Sequence, residues 1–313
     1  MNTLKDMGEA GLIERLTRRL GTARDVVVGP GDDCAVVRTA DEEWLLTSDP
    51  VIEGVHFDSA ATPQQIGHKA LARSLSDIAA MGGTPRWALV DLVAPGDTPA
   101  ERLDGIYAGL SATADEHGIA IVGGDVAAGP VIELHVFAVG SLPQGSAILR
   151  SGAAAGDGIY VTGALGGSRL EGHHLSFTPR LREGRWLRES GWATAMCDIS
   201  DGLSTDLHHL AAASGVGMAI RLASVPCSPA ARSTPDPLTH ALCDGEDFEL
   251  LFTVAPEHLA DVEAAWQGNA MAACTRIGTV TIDRGVMGIG AHESCSPLDA
   301  TGYDHFGKEE NGS

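Results

Sequence analysis

Leu12, Ile13, Leu16 and Leu20 recur at helical spacing, and Gly21 stands where such a segment needs a C-terminal cap. Short apolar stretches then predict strands at Val26 to Gly29, Cys34 to Arg38 and Trp44 to Thr47. Thr62-Pro63 marks a helix start, Ile66, Ala70, Leu71 and Ile78 form its apolar side, and Met81-Gly82-Gly83 ends it. Arg86 to Val93 reads as a strand. Thr98-Pro99-Ala100-Glu101 has the form of a capping box, and Leu103, Ile106, Tyr107 and Leu110 carry its helix to Gly118. Strands at Ile119 to Val122 and Val131 to Gly140 complete a first half.

From Leu142 to Asp157 the chain is rich in Pro, Gly, Ser and Ala, which predicts a linker and a division into residues 1–145 and 146–313. Beyond it, strands are expected at Ile159 to Thr162, entering Asp198, and at Gly217 to Leu222, Phe248 to Val254 and Thr275 to Val280. Helices are expected near Arg180 to Glu189, from Leu203 to Ser214 and from Pro256 to Trp266. Pro226 to Pro237 reads as a proline-rich loop, and Lys308 to Ser313 as a polar tail. Strands come in runs as well as alternating with helices, so the class is α+β with two domains.

One polar pattern interrupts this alternation repeatedly. Gly29-Pro30-Gly31-Asp32-Asp33-Cys34 sets two carboxylates in a turn between apolar segments. Lone Asp residues beside Gly, Ser or Thr follow in Thr47-Ser48-Asp49, Leu75-Ser76-Asp77, Gly123-Gly124-Asp125 and Cys197-Asp198-Ile199-Ser200-Asp201, read as strand ends. Carboxylates with no adjacent Lys or Arg suit a hard cation. Each could equally close a turn or cap a helix, and Asp32 reads as the structural member of its pair. If Asp33, Asp49, Asp77, Asp125, Asp198 and Asp201 share one cleft, each pair about 4 Å apart costs roughly 4 kcal/mol at an effective dielectric near 20. Divalent ions would have to sit among them.

Composition narrows the partners. The formal charge is −21, from 42 acids against 21 bases. Such a field repels nucleic acid and anionic membranes, so neither is expected, and an anionic substrate requires metal ions to reverse the local sign. Hydrophobic residues make up 44%, enough for a packed core. The opening residues Met1 to Asp6 carry no apolar leader. Six scattered cysteines without a Cys-x-x-Cys pair point to free thiols in a reducing cytoplasm. The pairs His173-His174 and His208-His209 lack metal spacing and read as solvated positions. No phosphate-binding Gly-x-x-x-x-Gly-Lys motif is present, and there are three lysines, Lys5, Lys69 and Lys308. Any nucleotide phosphate must therefore be held mostly by other cations.

In combination, these motifs resemble the thiamine-monophosphate kinase family. The resemblance rests on Gly31-Asp32-Asp33-Cys34-Ala35-Val36, Ser48-Asp49-Pro50-Val51-Ile52-Glu53-Gly54-Val55-His56-Phe57 and Leu75-Ser76-Asp77-Ile78-Ala79-Ala80-Met81-Gly82. It continues through Gly123-Gly124-Asp125, Arg150-Ser151-Gly152-Ala153, Asp198-Ile199-Ser200-Asp201-Gly202-Leu203, Gly245-Glu246-Asp247-Phe248-Glu249-Leu250 and Gly302-Tyr303-Asp304-His305-Phe306. It implies a PurM-like fold, a homodimer paired through the N-terminal sheet, and ATP-dependent phosphorylation of thiamine monophosphate without a phospho-enzyme. Asp33, Thr47, Ser48, Asp49, Asp77, Asp125, Asp198 and Asp201 match ligand positions for several magnesium ions. Of these, Asp33, Asp49, Asp77, Asp125 and Asp201 carry the catalytic assignment. Tyr107, Gly124, Asp125, Arg150 and Ser200 match nucleotide contacts, and His56, Glu246 and Tyr303 match substrate positions.

The residue types suit those parts. Arg150 offers a planar fork for phosphate, though a solvated linker arginine would look the same. Glu246 could face a cationic thiazolium or accept from an aminopyrimidine, and Tyr303 could stack on a ring. Three departures from the family pattern bear on loop shape and substrate affinity: Asp244 for Gly, Pro50 for Thr or Ser, and Val126-Ala127 for a hydroxyl-bearing pair. Two other readings stay open: another ATP-using enzyme of the PurM-like fold, or a non-catalytic binder of thiamine phosphates or metal.

Overall fold

The computed structural model describes residues 3–269 and 271–306; the expected tail from Lys308 lies outside the described residues. The N-terminal sheet contains β1 (Val26–Val28), β2 (Ala35–Arg38), β3 (Glu43–Ile52), β4 (Thr84–Ala94), β5 (Ala120–Gly123), β6 (Val126–Ala128) and β7 (Glu133–Leu142). Its order is β1-β2-β3-β7-β4-β5, with β6 also paired to β4. Before it lies α1 (Leu4–Thr17), interrupted at Gly8, with Ile13 and Leu16 exposed.

One face of this sheet is covered by α2 (Pro63–Ala80) and α3 (Ala100–His117). Thr62 caps α2 as expected: its Oγ1 accepts from the Gln65 N–H at 3.3 Å, and its own N–H donates to Gln65 Oε1 at 3.0 Å. α3 lacks the predicted box. Thr98 donates its N–H to Pro95 O at 3.0 Å within a turn, which leaves Pro99 in the cap position. The two helices cross at contact distance because both carry glycine there. A Cβ on Gly67 would fall 1.9 Å from Ile106 O, and one on Gly109 2.0 Å from Gln64 O.

The C-terminal sheet runs β14-β13-β10-β12-β8-β11-β9. Its strands are β8 (Gly158–Thr162), β9 (Ala193–Asp198), β10 (Gly217–Arg221), β11 (Leu250–Val254), β12 (Cys274–Thr281), β13 (Gly285–Ile289) and β14 (Cys295–Pro297). α5 (Leu203–Ser214) and α7 (Pro237–Cys243) pack Leu203, Leu207, Leu210 and Ala241 against Ile159 and Val161. A second core holds Leu187 of α4 (Leu181–Ser190), and Val262 and Trp266 of α8 (Leu259–Gln267), with Tyr160 and Phe252. The architecture is α+β, with two sheet-and-helix halves.

Several local expectations are corrected. The stretch Pro226 to Pro237 is not all loop: α6 (Pro229–Arg232) lies within it and α7 begins at its end. Ser228 and Asp236 cap these helices by accepting the Ala231 and Thr239 N–H groups, and proline fits a first helical turn because its missing donor would have no partner there. β3 runs on to Ile52 because all ten of its residues pair with β7. Asp49 therefore lies inside a strand, and Asp77 inside α2, rather than at strand ends. Phe248 stands outside β11 with φ +51°. The strands β6, β13 and β14 are not among those predicted: β6 and β14 have three residues each, too few to show an alternation.

α2 is the central element. Ile66, Leu71, Leu75 and Ile78 are fully buried in the N-terminal core, while Ala80 joins Leu187 and Met196 of the other half. Wedged between halves, this helix brings polar side chains to the junction. No helix among the described residues is long and apolar enough to cross a membrane.

Candidate active site

Carboxylates from both halves meet beside α2. Oxygens of Asp33, Asp77 and Asp198 lie within 4.8 Å of one another. Thr47 on β3 donates its hydroxyl to Asp77, and Ser76 donates to Asp198 at 2.5 Å. Next to them, Asp49 accepts from Ser74 at 3.1 Å and lies 3.6 Å from Arg73. Burial pushes both Asp77 and Asp198 well above the usual carboxylate range. The charges of Asp49, Asp198 and Asp33 add to this at Asp77, and that of Asp33 at Asp198.

Arg150 is the cation against this cluster. Its Nη2 and Nε reach Asp33 Oδ1 at 2.5 and 3.2 Å, while its backbone N–H donates to Asp32 at 3.1 Å. Asp32 is raised to about 6, first by burial and then by Asp33. Asp33 Oδ2 is buried with no hydrogen-bond partner. One buried and two half-buried aspartates, one guanidinium and an orphaned oxygen fit a hard divalent cation, which takes oxygen ligands and removes the repulsion.

A second group lies one loop away. Oxygens of Asp201 and Asp206 and a ring nitrogen of His209 also lie within 4.8 Å of one another. Burial and the Asp206 charge raise Asp201 to about 7. His209 pairs with Asp206 at 3.4 Å, His208 with Leu298 O at 2.7 Å and His174 with Ser168 O at 3.1 Å. These histidines are partnered, not merely solvated, because the helices that carry them pack against neighbouring segments.

His56, Glu246 and Tyr303 line one cavity of about 380 Å³, together with Arg73, Ser200 and Asp201. The Ile52 N–H donates to His56 Nδ1 at 3.0 Å, which leaves the proton on Nε2. That Nε2 is buried without a partner. Burial, then Arg73, pushes His56 down to about 3, so the ring is neutral. Glu246 lies 2.6 Å from Lys69 and 3.0 Å from Arg169. Burial pushes its carboxyl up, but Lys69, Arg169 and Arg73 together reverse this and hold it below its usual value. The Tyr303 N–H donates to Asp201 O at 2.8 Å, which fixes the C-terminal segment over the cavity.

Other predicted positions stand apart. Ser48 is exposed on the sheet face opposite Thr47 and Asp49, as strand alternation requires. Tyr107 is 37% exposed on α3. Gly124 has φ +150°, and a Cβ there would lie 1.8 Å from Val90 O. The register Asp49–Val136–Val90 then puts neighbouring Asp125 three strands from Asp49, roughly 14 Å at ordinary strand spacing. Asp125 is exposed and joins neither carboxylate group. Sequence reasoning missed Lys69, Arg73, Asp206 and His209. Spacing held a signal: Lys69, Arg73 and Asp77 fall at i, i+4 and i+8 on one face of α2, and Asp206 and His209 at i, i+3 on α5.

Comparison with known proteins decides the family. Residues 31–142 match the AIR synthase related protein N-terminal domain, and residues 138–289 the corresponding C-terminal domain. The thiamine-monophosphate kinase of Rhodopirellula baltica is 39% identical over 288 residues, covering 87% of this chain and 89% of that protein. The chain belongs to the thiamine-monophosphate kinase family. Its Escherichia coli K12 member is 36% identical over 325 residues, covering 96% of this chain and 98% of its own length. Among solved structures, AaThiL complexed with AMPPCP and TMP superposes with a TM-score of 0.85 at 31% identity, covering 97% of this chain and 99% of that one. The PurM-like fold is shared throughout this family match, and the family is one of enzymes.

Proposed function

We propose that this protein transfers the γ-phosphoryl group of ATP to the phosphate of thiamine monophosphate, giving thiamine diphosphate and ADP. A phosphate oxygen of the acceptor forms the new bond to γ-phosphorus as the bond to the β–γ bridging oxygen breaks, and ADP leaves with that electron pair. The observation that carries this reading is the adjoining of two sites. The cavity holding His56, Glu246 and Tyr303 shares Ser200 and Asp201 with the loop that follows Asp198 of the carboxylate cluster. That AaThiL is complexed with two ligands, AMPPCP and TMP, supports a reading with two sites.

Phosphoryl transfer needs positioning and charge neutralisation more than covalent work by the protein. The acceptor phosphate is anionic near neutral pH, so a strong base is unnecessary. Asp33, Asp77 and Asp198 would hold magnesium, with Thr47, Asp49 and Asp201 beside them, while Ser48, on the opposite sheet face, and Asp125, three strands away, would serve only ions outside this cluster. When bound, these ions neutralise phosphate charge. Arg150, Gly124, Asp125, Ser200 and Tyr107 are assigned to the nucleotide. Since Glu246 already faces two cations, its remaining lone pairs suit an aminopyrimidine donor better than a thiazolium cation.

Stacked Trp44 and Trp87, 5.0 Å apart, with half-exposed Leu89, form an open apolar sheet face that suits a homodimer. We place the division between domains near residue 145. Six free cysteines suit a cytoplasmic protein. Incubation with ATP, magnesium and thiamine monophosphate should yield thiamine diphosphate; ATP and acceptor both recovered intact would overturn the assignment.

A further inference from the structure

Lys69 has no exposed surface. Its Nζ donates to His56 O at 2.6 Å and lies 2.6 Å from Glu246 Oε1. One ammonium thus ties α2 to the loop after β3 and to the loop before β11, and both loops line the acceptor cavity that Lys69 itself does not reach. Glu246 takes φ +66°, a conformation unfavourable for a side-chain-bearing residue, which packing must maintain. A buried ion pair is a poor stabilising device, since apolar residues of similar volume often serve as well or better. The requirement for this pair therefore lies in what Glu246 presents. Without a cation at hand, a buried carboxyl takes a proton and changes from acceptor to donor.

We propose that Lys69 is a positioning residue for the acceptor site, aiming Glu246 as a hydrogen-bond acceptor and fixing the His56 loop, so that the cavity selects an amino-bearing aromatic heterocycle. This rests on the kinase reading above. The same groups fix His56, which lines the cavity and whose Nε2 is buried without a partner: its ring is held through Nδ1 and its backbone through Lys69. Arg169 at 3.0 Å assists at the outer edge, but it is half exposed and screened by solvent.

The test compares thiamine monophosphate with the analogue in which oxygen replaces the pyrimidine amino group. Binding of each is measured by calorimetry and turnover of each by kcat/KM, for the wild type and Lys69→Met. The wild type should favour the amine strongly, because a site built around a buried acceptor rejects a ligand without the donor. Lys69→Met should shrink that preference at least tenfold while KM for ATP stays within twofold. A structural role alone would weaken both ligands alike and leave the ratio unmoved, which would overturn the proposal. Should Lys69→Met not fold, Lys69→Gln keeps a donor for His56, removes only the charge, and should shrink the ratio as well. A wild type that shows the binding preference yet makes no thiamine diphosphate would sink the kinase reading and leave the role of Lys69 standing.

Discussion

Asp77→Asn should make the metal-free protein more stable while abolishing turnover. In the wild type the Asp77 carboxylate is grouped within 4.8 Å of Asp33 and Asp198. At that distance and an effective dielectric near 20, each fully charged pair costs about 3.5 kcal/mol. The repulsion is not fully developed, because Arg150 faces Asp33 and burial favours protonated Asp77 and Asp198. Asparagine retains an oxygen for the Thr47 hydroxyl, so that hydrogen bond, about 1 kcal/mol, survives. The balance is a gain of about 2 kcal/mol in chelator at mildly alkaline pH, or roughly 3 °C in melting temperature for a chain of 313 residues. The assay is urea denaturation with EDTA and again with excess magnesium. Magnesium should stabilise the wild type strongly and the variant little. A variant less stable than wild type in EDTA, or one with an undiminished response to magnesium, would refute the electrostatic reasoning.

The remaining predictions concern pH, the resident arginine and assembly. Asp32 and Asp201 are raised to about 6 and about 7, so the native state binds more protons than the unfolded chain. Their stabilisation is complete below the ordinary carboxylate value and is lost as pH rises through 6 and 7, so metal-free stability should fall over that span; a flat profile in EDTA would contradict this. Arg150→Gln removes the cation that competes for Asp33. Magnesium should then bind several-fold tighter without nucleotide, by calorimetry, and weaker binding would contradict it. Trp87→Asp on the open sheet face should yield monomers by light scattering, and an unchanged mass would remove that face from assembly.

Much of this protein was readable along the chain. Capping at Thr62, the stops at Gly118 and Gly191, and the apolar alternation of most strands depend on neighbours within a few residues. The motif aspartates were legible as chemistry because acids without adjacent cations stand out in any order. Their environment was not. Asp49 occupies a strand, since the pairing of β3 with β7 overrode local turn signals, whereas Asp77 falls in the helix that the apolar spacing between Thr62 and Met81 predicts. Asp33, Asp77 and Asp198 meet because α2 is wedged between two sheets, a consequence of packing across the whole fold. Nothing local marks Lys69, and the same wedge places it against Glu246. Local sequence determined which elements form and which chemical groups they carry; only tertiary burial decided which charges confront one another, because desolvation and Coulomb energy depend on distance in space.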